Sequence, residues 1–344
     1  MAAGAGSNEN PKNKLLLMAE EGPLMRKINA IALAVFLALP GAVAEAQSYP
    51  TKPIRFVLPF GPGSASDTLA RIAGQELGQA IGQPIVIVNK PGADGALAAI
   101  EVKRAAPDGY TFLFGTNSPL GVVPHVRKEP PYDVVTDFTP VTYMGDNSFF
   151  IVVHPSVPAN SIGELIAYAK ANPKKLNYAS GNTYAIVATA IFAANAGIDM
   201  VHVPYKSEPE AITDVLSGQV HIINATSTTI AQHVKAGRLR ALVATFHERS
   251  AVLPDVPSIV EAGLPRFPFS PWFVLVGPAG LPPEIVARMN KEMVAVLANP
   301  NVRDQMMKQG FTPRSSTPEE AASFIKGQIP VWRESLKVAG IEPQ

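Results

Sequence analysis

The sequence predicts an α/β protein of two lobes, each a mainly parallel sheet flanked by helices and joined to the other by a hinge. Strand-like runs alternate with amphipathic helical segments along the chain, the rhythm that builds parallel sheets covered on both faces. Roughly 300 residues follow an N-terminal leader, more than a single hydrophobic core accommodates, so a split is expected. A strand, a Gly/Ser loop and a helix follow one another over residues 54–77, which supplies one complete βα unit.

In chain order, residues 1–24 are polar, mixed and without periodicity, and are expected to be spurious, with the true start at Met25. Met25-Arg26-Lys27 is a basic start, residues 28–39 are apolar, and Ala42-Val43-Ala44 and Ala44-Glu45-Ala46 are small-x-small cleavage sites. Residues 25–46 therefore read as a cleavable secretory signal peptide. An apolar run of about 12 residues spans roughly 18 Å as a helix, short of the ~30 Å of a bilayer core.

The next element is the apolar strand at 54–58, which breaks at Pro59-Phe60-Gly61-Pro62-Gly63-Ser64-Ala65-Ser66-Asp67. Leu69, Ile72, Ala73 and Leu77 then fall on one helical face, with Ser66 or Asp67 as the expected N-cap. First-turn amides of such a helix point back into the loop and, with the helix dipole, favour an anion; the alternative is a plain capped βα turn. Further strands are expected at 85–88, 111–114, 149–153, 177–179, 201–203, 221–223, 239–244 and 273–276. Ser161-Ile162-Gly163-Glu164 and Thr317-Pro318-Glu319-Glu320 read as capping boxes, the second with proline at the first helical position. Residues 284–298 carry Ile285, Met289, Met293 and Val296 on one stripe, and Pro330 should kink or interrupt the last helix.

Composition excludes several functions. A formal net charge of +1 and the lack of any basic-aromatic cluster exclude nucleic acid as a partner. The chain has no cysteine, hence no disulfide, thiol catalysis or Cys-ligated metal. Gly61-Pro62-Gly63-Ser64-Ala65-Ser66 lacks the third glycine of a dinucleotide loop, no Gly-x-Ser-x-Gly pentapeptide occurs, and the six histidines have no paired-ligand spacing. No cofactor, no metal and no enzymatic activity are expected. A small-molecule hydrolase is a remote alternative.

The wording around these elements is specific. Tyr49-Pro50-Thr51-Lys52-Pro53-Ile54-Arg55-Phe56-Val57-Leu58-Pro59-Phe60, Asn89-Lys90-Pro91-Gly92-Ala93, Ala106-Pro107-Asp108-Gly109-Tyr110-Thr111, Tyr178-Ala179-Ser180-Gly181-Asn182, Val201-His202-Val203-Pro204-Tyr205-Lys206 and Pro254-Asp255-Val256-Pro257 stand in one order. Together they closely resemble the Bug receptors, the periplasmic solute-binding proteins of tripartite tricarboxylate transporters. The resemblance implies a type II periplasmic binding fold, with residues 47–147 and 269–344 in one discontinuous lobe and 148–268 in the other. It also implies a periplasmic, monomeric receptor that captures a small organic acid and hands it to one large and one small integral membrane subunit. A stand-alone sensor or scavenger that signals to a kinase is the alternative.

Ligands of open α/β sheets collect at the carboxyl ends of strands. The candidate contacts are accordingly Phe60, Gly61, Pro62, Gly63, Ser64, Ala65, Ser66 and Asp67 in the first lobe, and Ser180, Gly181, Asn182 and Thr183 in the second, where family members grip a ligand carboxylate. Asn117, Tyr205 and Trp272 follow or adjoin other strand ends, with core packing or a surface position as their plain alternatives. Asn224-Ala225-Thr226 stands where the family commonly has Phe-Asp-Asn, so the usual acid is lost at Ala225. That departure points to an unaminated mono- or dicarboxylate, aliphatic or aromatic.

Overall fold

The computed structural model describes residues 49–343. The spurious-extension and signal-peptide readings of 1–24 and 25–46 lie outside the described residues. Residues from Tyr49 onward form one compact unit built on two sheets.

The first sheet has six strands in the order β11-β4-β10-β3-β1-β2: β1 Ile54–Leu58, β2 Ile85–Asn89, β3 Thr111–Thr116, β4 Phe138–Asn147, β10 Trp272–Pro278 and β11 Phe311–Pro313. The second has five in the order β7-β6-β8-β5-β9: β5 Phe149–Val153, β6 Asn177–Ser180, β7 Val201–Pro204, β8 Ile222–Thr226 and β9 Arg240–Ala244. Helices cover both sheets: α1 Ala65–Ile81, α2 Ala96–Lys103, α3 Val123–Val126, α4 Ile162–Ala171, α5 Thr183–Ala196, α6 Glu208–Leu216, α7 Ser227–Lys235, α8 Pro283–Ala298, α9 Pro300–Lys308 and α10 Pro318–Val338.

Strand alternation decides the layers. Ile54, Phe56 and Leu58 of β1 point into a core shared with Leu69, Ala73 and Leu77 of α1 and Met289 and Met293 of α8. Val57 points the other way, into a core with Val102 of α2, Trp272 and Val274 of β10 and Ile325 of α10. The second sheet repeats this, with Phe150 and Val152 on one face and Ile151 and Val153 on the other. A further aromatic cluster ties elements of both sheets together: Tyr184 of α5, Phe269, and Trp332 of α10.

The sheets are mixed rather than mainly parallel. β1 pairs β2 and β3, and β6 pairs β7 and β8, in parallel; β10, β4 and β11, and β5 with β8 and β9, pair antiparallel. Parallel neighbours need a crossover helix, and the strands that carry the chain between sheets have none. β4 ends at Asn147 and β5 starts at Phe149 in the other sheet, with only Ser148 between. The return runs from β9 through Pro265, Pro268 and Pro271 into β10, and the Asn147 amide donates to the Pro271 carbonyl at 2.9 Å where the two passages lie side by side.

Three local expectations change. Ser64, not Ser66 or Asp67, caps α1, because its extended backbone (φ −69°, ψ 164°) lets its side chain accept from the Asp67 amide. At α4, Ser161 accepts the Glu164 amide, yet Glu164 reaches back to Asn160 instead of Ser161, so the box is only half made. α10 runs through Pro330 as one helix without interruption.

Candidate functional site

Strand ends and helix starts of both sheets meet at one point. The turn after β1 gives Phe60 and the first turn of α1; β3 ends in Thr116 and runs through Asn117 into a π-helical turn at Ser118–Val122. From the second sheet come Gly181 and Asn182 after β6, Glu208 at the start of α6, and Thr226 at the end of β8. These residues, with Phe149, Pro271 and Phe273, enclose a cavity of about 30 Å³.

On the first wall, Ser64 and Ser66 hydroxyls lie 3.1 Å apart, and the Ala65 and Ser66 amides that open α1 have no intrahelical acceptor, while the Asp67 amide donates to Ser64 Oγ. The Thr116 Oγ1 and Asn117 Nδ2 atoms are buried and unpartnered. A buried donor without an acceptor costs about 1–3 kcal/mol, so this wall is primed for an acceptor from outside the protein.

On the second wall, Asn182 caps α5 by accepting the Ala185 amide at 2.9 Å, and its Nδ2 donates to Glu208 Oε1 at 2.8 Å. Glu208 Oε2 accepts from the Thr226 amide at 3.2 Å, Thr226 Oγ1 at 2.6 Å and Thr229 Oγ1 at 2.9 Å. Burial pushes the Glu208 carboxyl up from its ordinary value, against the pull of these donors. Gly181 is obligatory here: a Cβ would stand 2.3 Å from the Glu208 amide nitrogen and 2.5 Å from the Ser207 carbonyl carbon.

Of the residues singled out in the sequence, Phe60, Ser64, Ala65, Ser66, Asn117, Gly181 and Asn182 line the cavity together. The others lie behind it. Gly61 packs toward Ser207, and Pro62 is exposed on the same turn. The Gly63 amide donates to Asp67 Oδ2 at 3.1 Å, and Arg71 Nε donates to the same oxygen at 3.1 Å, so the Asp67 carboxylate is held within its own loop. Ser180 Oγ and His202 Nε2 are 2.6 Å apart. Thr183 is buried at the start of α5. Tyr205 donates to Asp214 Oδ2 at 2.6 Å, Ala225 is in the core of the second sheet with Phe150 and Ile230, and Trp272 is fully buried and donates to Gln328 Oε1 at 3.1 Å.

Sequence reasoning missed Thr116, Ser118, Phe149, Glu208, Thr226, Pro271 and Phe273. Strand-end position was the available signal for Thr116 and Thr226. Ser207-Glu208 stands out only as a departure from the glycine that the resembling family commonly has after the Val203-Pro204-Tyr205-Lys206 block, and that gives Glu208 no role, because its partners Asn182, Thr226 and Thr229 are 18 to 26 positions away. A roomier trough between α1 and β2, lined by Gly74, Gly78 and exposed glutamines, lies away from these strand ends. Among the described residues, no group of three His, Cys, Asp or Glu side chains can hold a metal, and no helix is long and apolar enough to cross a membrane.

Residues 69–341 match the model of the tripartite tricarboxylate transporter family receptor. The chain belongs to this family. It is 33% identical over 313 residues to protein BugT of Bordetella pertussis, covering 90% of this chain and 96% of BugT. Two solved structures match over nearly their whole length. R. palustris Rpa4515 with adipate is 31% identical with a TM-score of 0.83, covering 86% of this chain and 100% of that one. MatC from Rhodopseudomonas palustris with bound malate is 28% identical with a TM-score of 0.79, covering 84% and 100%. The fold is thus that of periplasmic binding proteins, as the sequence resemblance implies, and the family's members are solute-binding receptors rather than enzymes.

Proposed function

We propose that this receptor captures a small organic acid in the cavity between its two sheets and delivers it to a tripartite transporter in the membrane, after export by the leader at 25–46. Residues 47–147 with 269–344 act as one lobe and 148–268 as the other. The observation that carries this reading is the meeting of the α1 first turn, with the buried and unpartnered Asn117 Nδ2, and the α5 cap on a single cavity. Hydrogen bonds to a charged acceptor contribute roughly 1.5–3 kcal/mol each, so three or four supply the ~8 kcal/mol of micromolar binding without an arginine clamp. The adipate and malate bound to the two structural relatives support a carboxylate as the ligand class.

The cavity of about 30 Å³ has room for a water molecule or two, whereas ligand sites begin near 300 Å³. Entry therefore needs the two walls to part, and the paired passages β4–β5 and β9–β10 serve as the hinge. The test is a thermal-shift screen of the mature protein against mono- and dicarboxylates, followed by calorimetry on any hit. A bound acid raises the melting temperature in proportion to occupancy. A flat response to every acid would remove the organic-acid reading.

A further inference from the structure

The cavity has a donor wall and an anionic wall. The residue Glu208 is only 4% exposed, lines the cavity, and has no Lys, Arg or His beside it among the residues that line the site or bond to it. Two of its donors are fixed in sense. A backbone amide can only donate, and Asn182 Oδ1 is already committed to the Ala185 amide, so Asn182 Nδ2 must be the group facing Glu208. Each carboxylate oxygen thus meets an obligatory donor, an arrangement that suits the ionised form. Oε2 is filled by three contacts; Oε1 has one and keeps acceptor capacity.

Burying a carboxylate without a counter-charge is costly, and the cost falls away when a cation arrives with a ligand. Across the cavity stand the Ala65 and Ser66 amides that open α1 and the buried, unpartnered Asn117 Nδ2, each a donor. We propose that Glu208 receives the ammonium group of an amino-carboxylate ligand whose carboxylate meets the α1 turn and Asn117. This deepens the organic-acid reading and rests on it. Loss of the acid at position 225 argued in the sequence for an unaminated ligand. The structure returns a carboxylate to the end of β8 from a different element, since Glu208 bonds both the amide and the hydroxyl of Thr226. A symmetric dianion would set its second carboxylate against Glu208, a like-charge contact in a buried site.

The experiment is calorimetry on the mature protein with acid pairs that differ only in an amino group: alanine and propionate, 4-aminobutyrate and butyrate, glutamate and glutarate. In at least one pair the amino member should bind about tenfold or more tighter, because a site built around a polar contact rejects the analogue that lacks it. Glu208→Gln should collapse the ratio within that pair, and Glu208→Asp, which keeps the charge, should retain part of it. Wild-type protein alone decides the first point if the glutamine variant does not fold. Equal or tighter binding of the unaminated member in every pair overturns the assignment of Glu208 and leaves the organic-acid reading intact, as does a glutamine variant that keeps the full preference. Failure of both series to bind overturns this inference, and the organic-acid reading falls with it only if the wider carboxylate screen is flat as well.

Discussion

Asp67 belongs to the loop that lines the cavity without facing it. Its Oδ2 accepts the Gly63 amide at 3.1 Å, and Arg71 contacts both oxygens, at 3.1 and 2.9 Å. Gly63 needs its freedom to turn the amide inward, with φ at 78°. Burial alone would raise the Asp67 carboxyl, but hydrogen bonds from Arg71, Gly63 and Asn89 outweigh it and hold the group below its ordinary value. A carboxyl depressed on folding contributes stability that is present above its unfolded value and lost as pH falls through the folded one. Arg71 is half exposed, which screens its share. Asp67→Asn should lower the unfolding free energy near neutral pH by about 1–2 kcal/mol and flatten the loss of stability below the ordinary carboxylate range. Urea unfolding across pH 3 to 7, roughly the span over which a carboxyl titrates, checks this. Organic-acid affinity should survive in the folded variant; its loss would put Asp67 in contact with ligand.

At the scale of the element, caps and periodicity carry the most readable information. Thr317 accepts the Glu320 amide at 3.1 Å while Glu320 accepts the Thr317 amide at 2.9 Å, and Pro318 takes the first helical position, so α10 has a complete box. Thr317→Ala should cost about 1 kcal/mol, read as a lower midpoint in urea with an unchanged slope. An unchanged midpoint would show that packing of Ile325 and Trp332 alone fixes the start of α10. The box was legible because all its parts lie within four residues, and the βα units were legible because their apolar spacing is regular. β4, the longest strand, was not. Pro140 and Gly145 interrupt it, and its register against β10 slips twice, between Phe273 and Val274 and between Leu275 and Val276, so alternation is lost just where the strand is most continuous. β11 is three residues long and has no periodicity to read. The site divides the same way. Its helix-start loops announced themselves through glycine and hydroxyl residues, whereas Glu208 acquires its meaning from contacts that only the fold brings together.

Across the whole molecule, one side chain sits where the walls of the cavity are backed against each other. Trp332 is fully buried, stacks on Phe269 at 4.4 Å, and meets Tyr184 edge-on at 6.3 Å. It also covers Gly121 so closely that a Cβ there would lie 2.5 Å from the indole nitrogen. Tyr184 is the second residue of α5, two past the Asn182 cap, and Gly121 lies in the π-helical turn that follows Asn117. The indole therefore touches the backs of both walls, and any parting that admits a ligand must separate Tyr184 from Gly121 and loosen the ring's surroundings. The other tryptophan, Trp272, is tied to Gln328 within the first sheet's core and has no part in that contact. Binding of an organic acid should consequently shift tryptophan emission, because the walls must stand further apart around a ligand than around the present water-sized cavity. Trp272→Phe should keep the ligand-dependent shift, and Trp332→Phe should lose it. Small-angle scattering on the same samples should give a radius of gyration that changes with ligand. A shift that follows Trp272 instead, or scattering that ignores a ligand already proven by calorimetry, would mean that the ligand enters without separation of the two sheets, through rearrangement of the α1 and α5 turns alone.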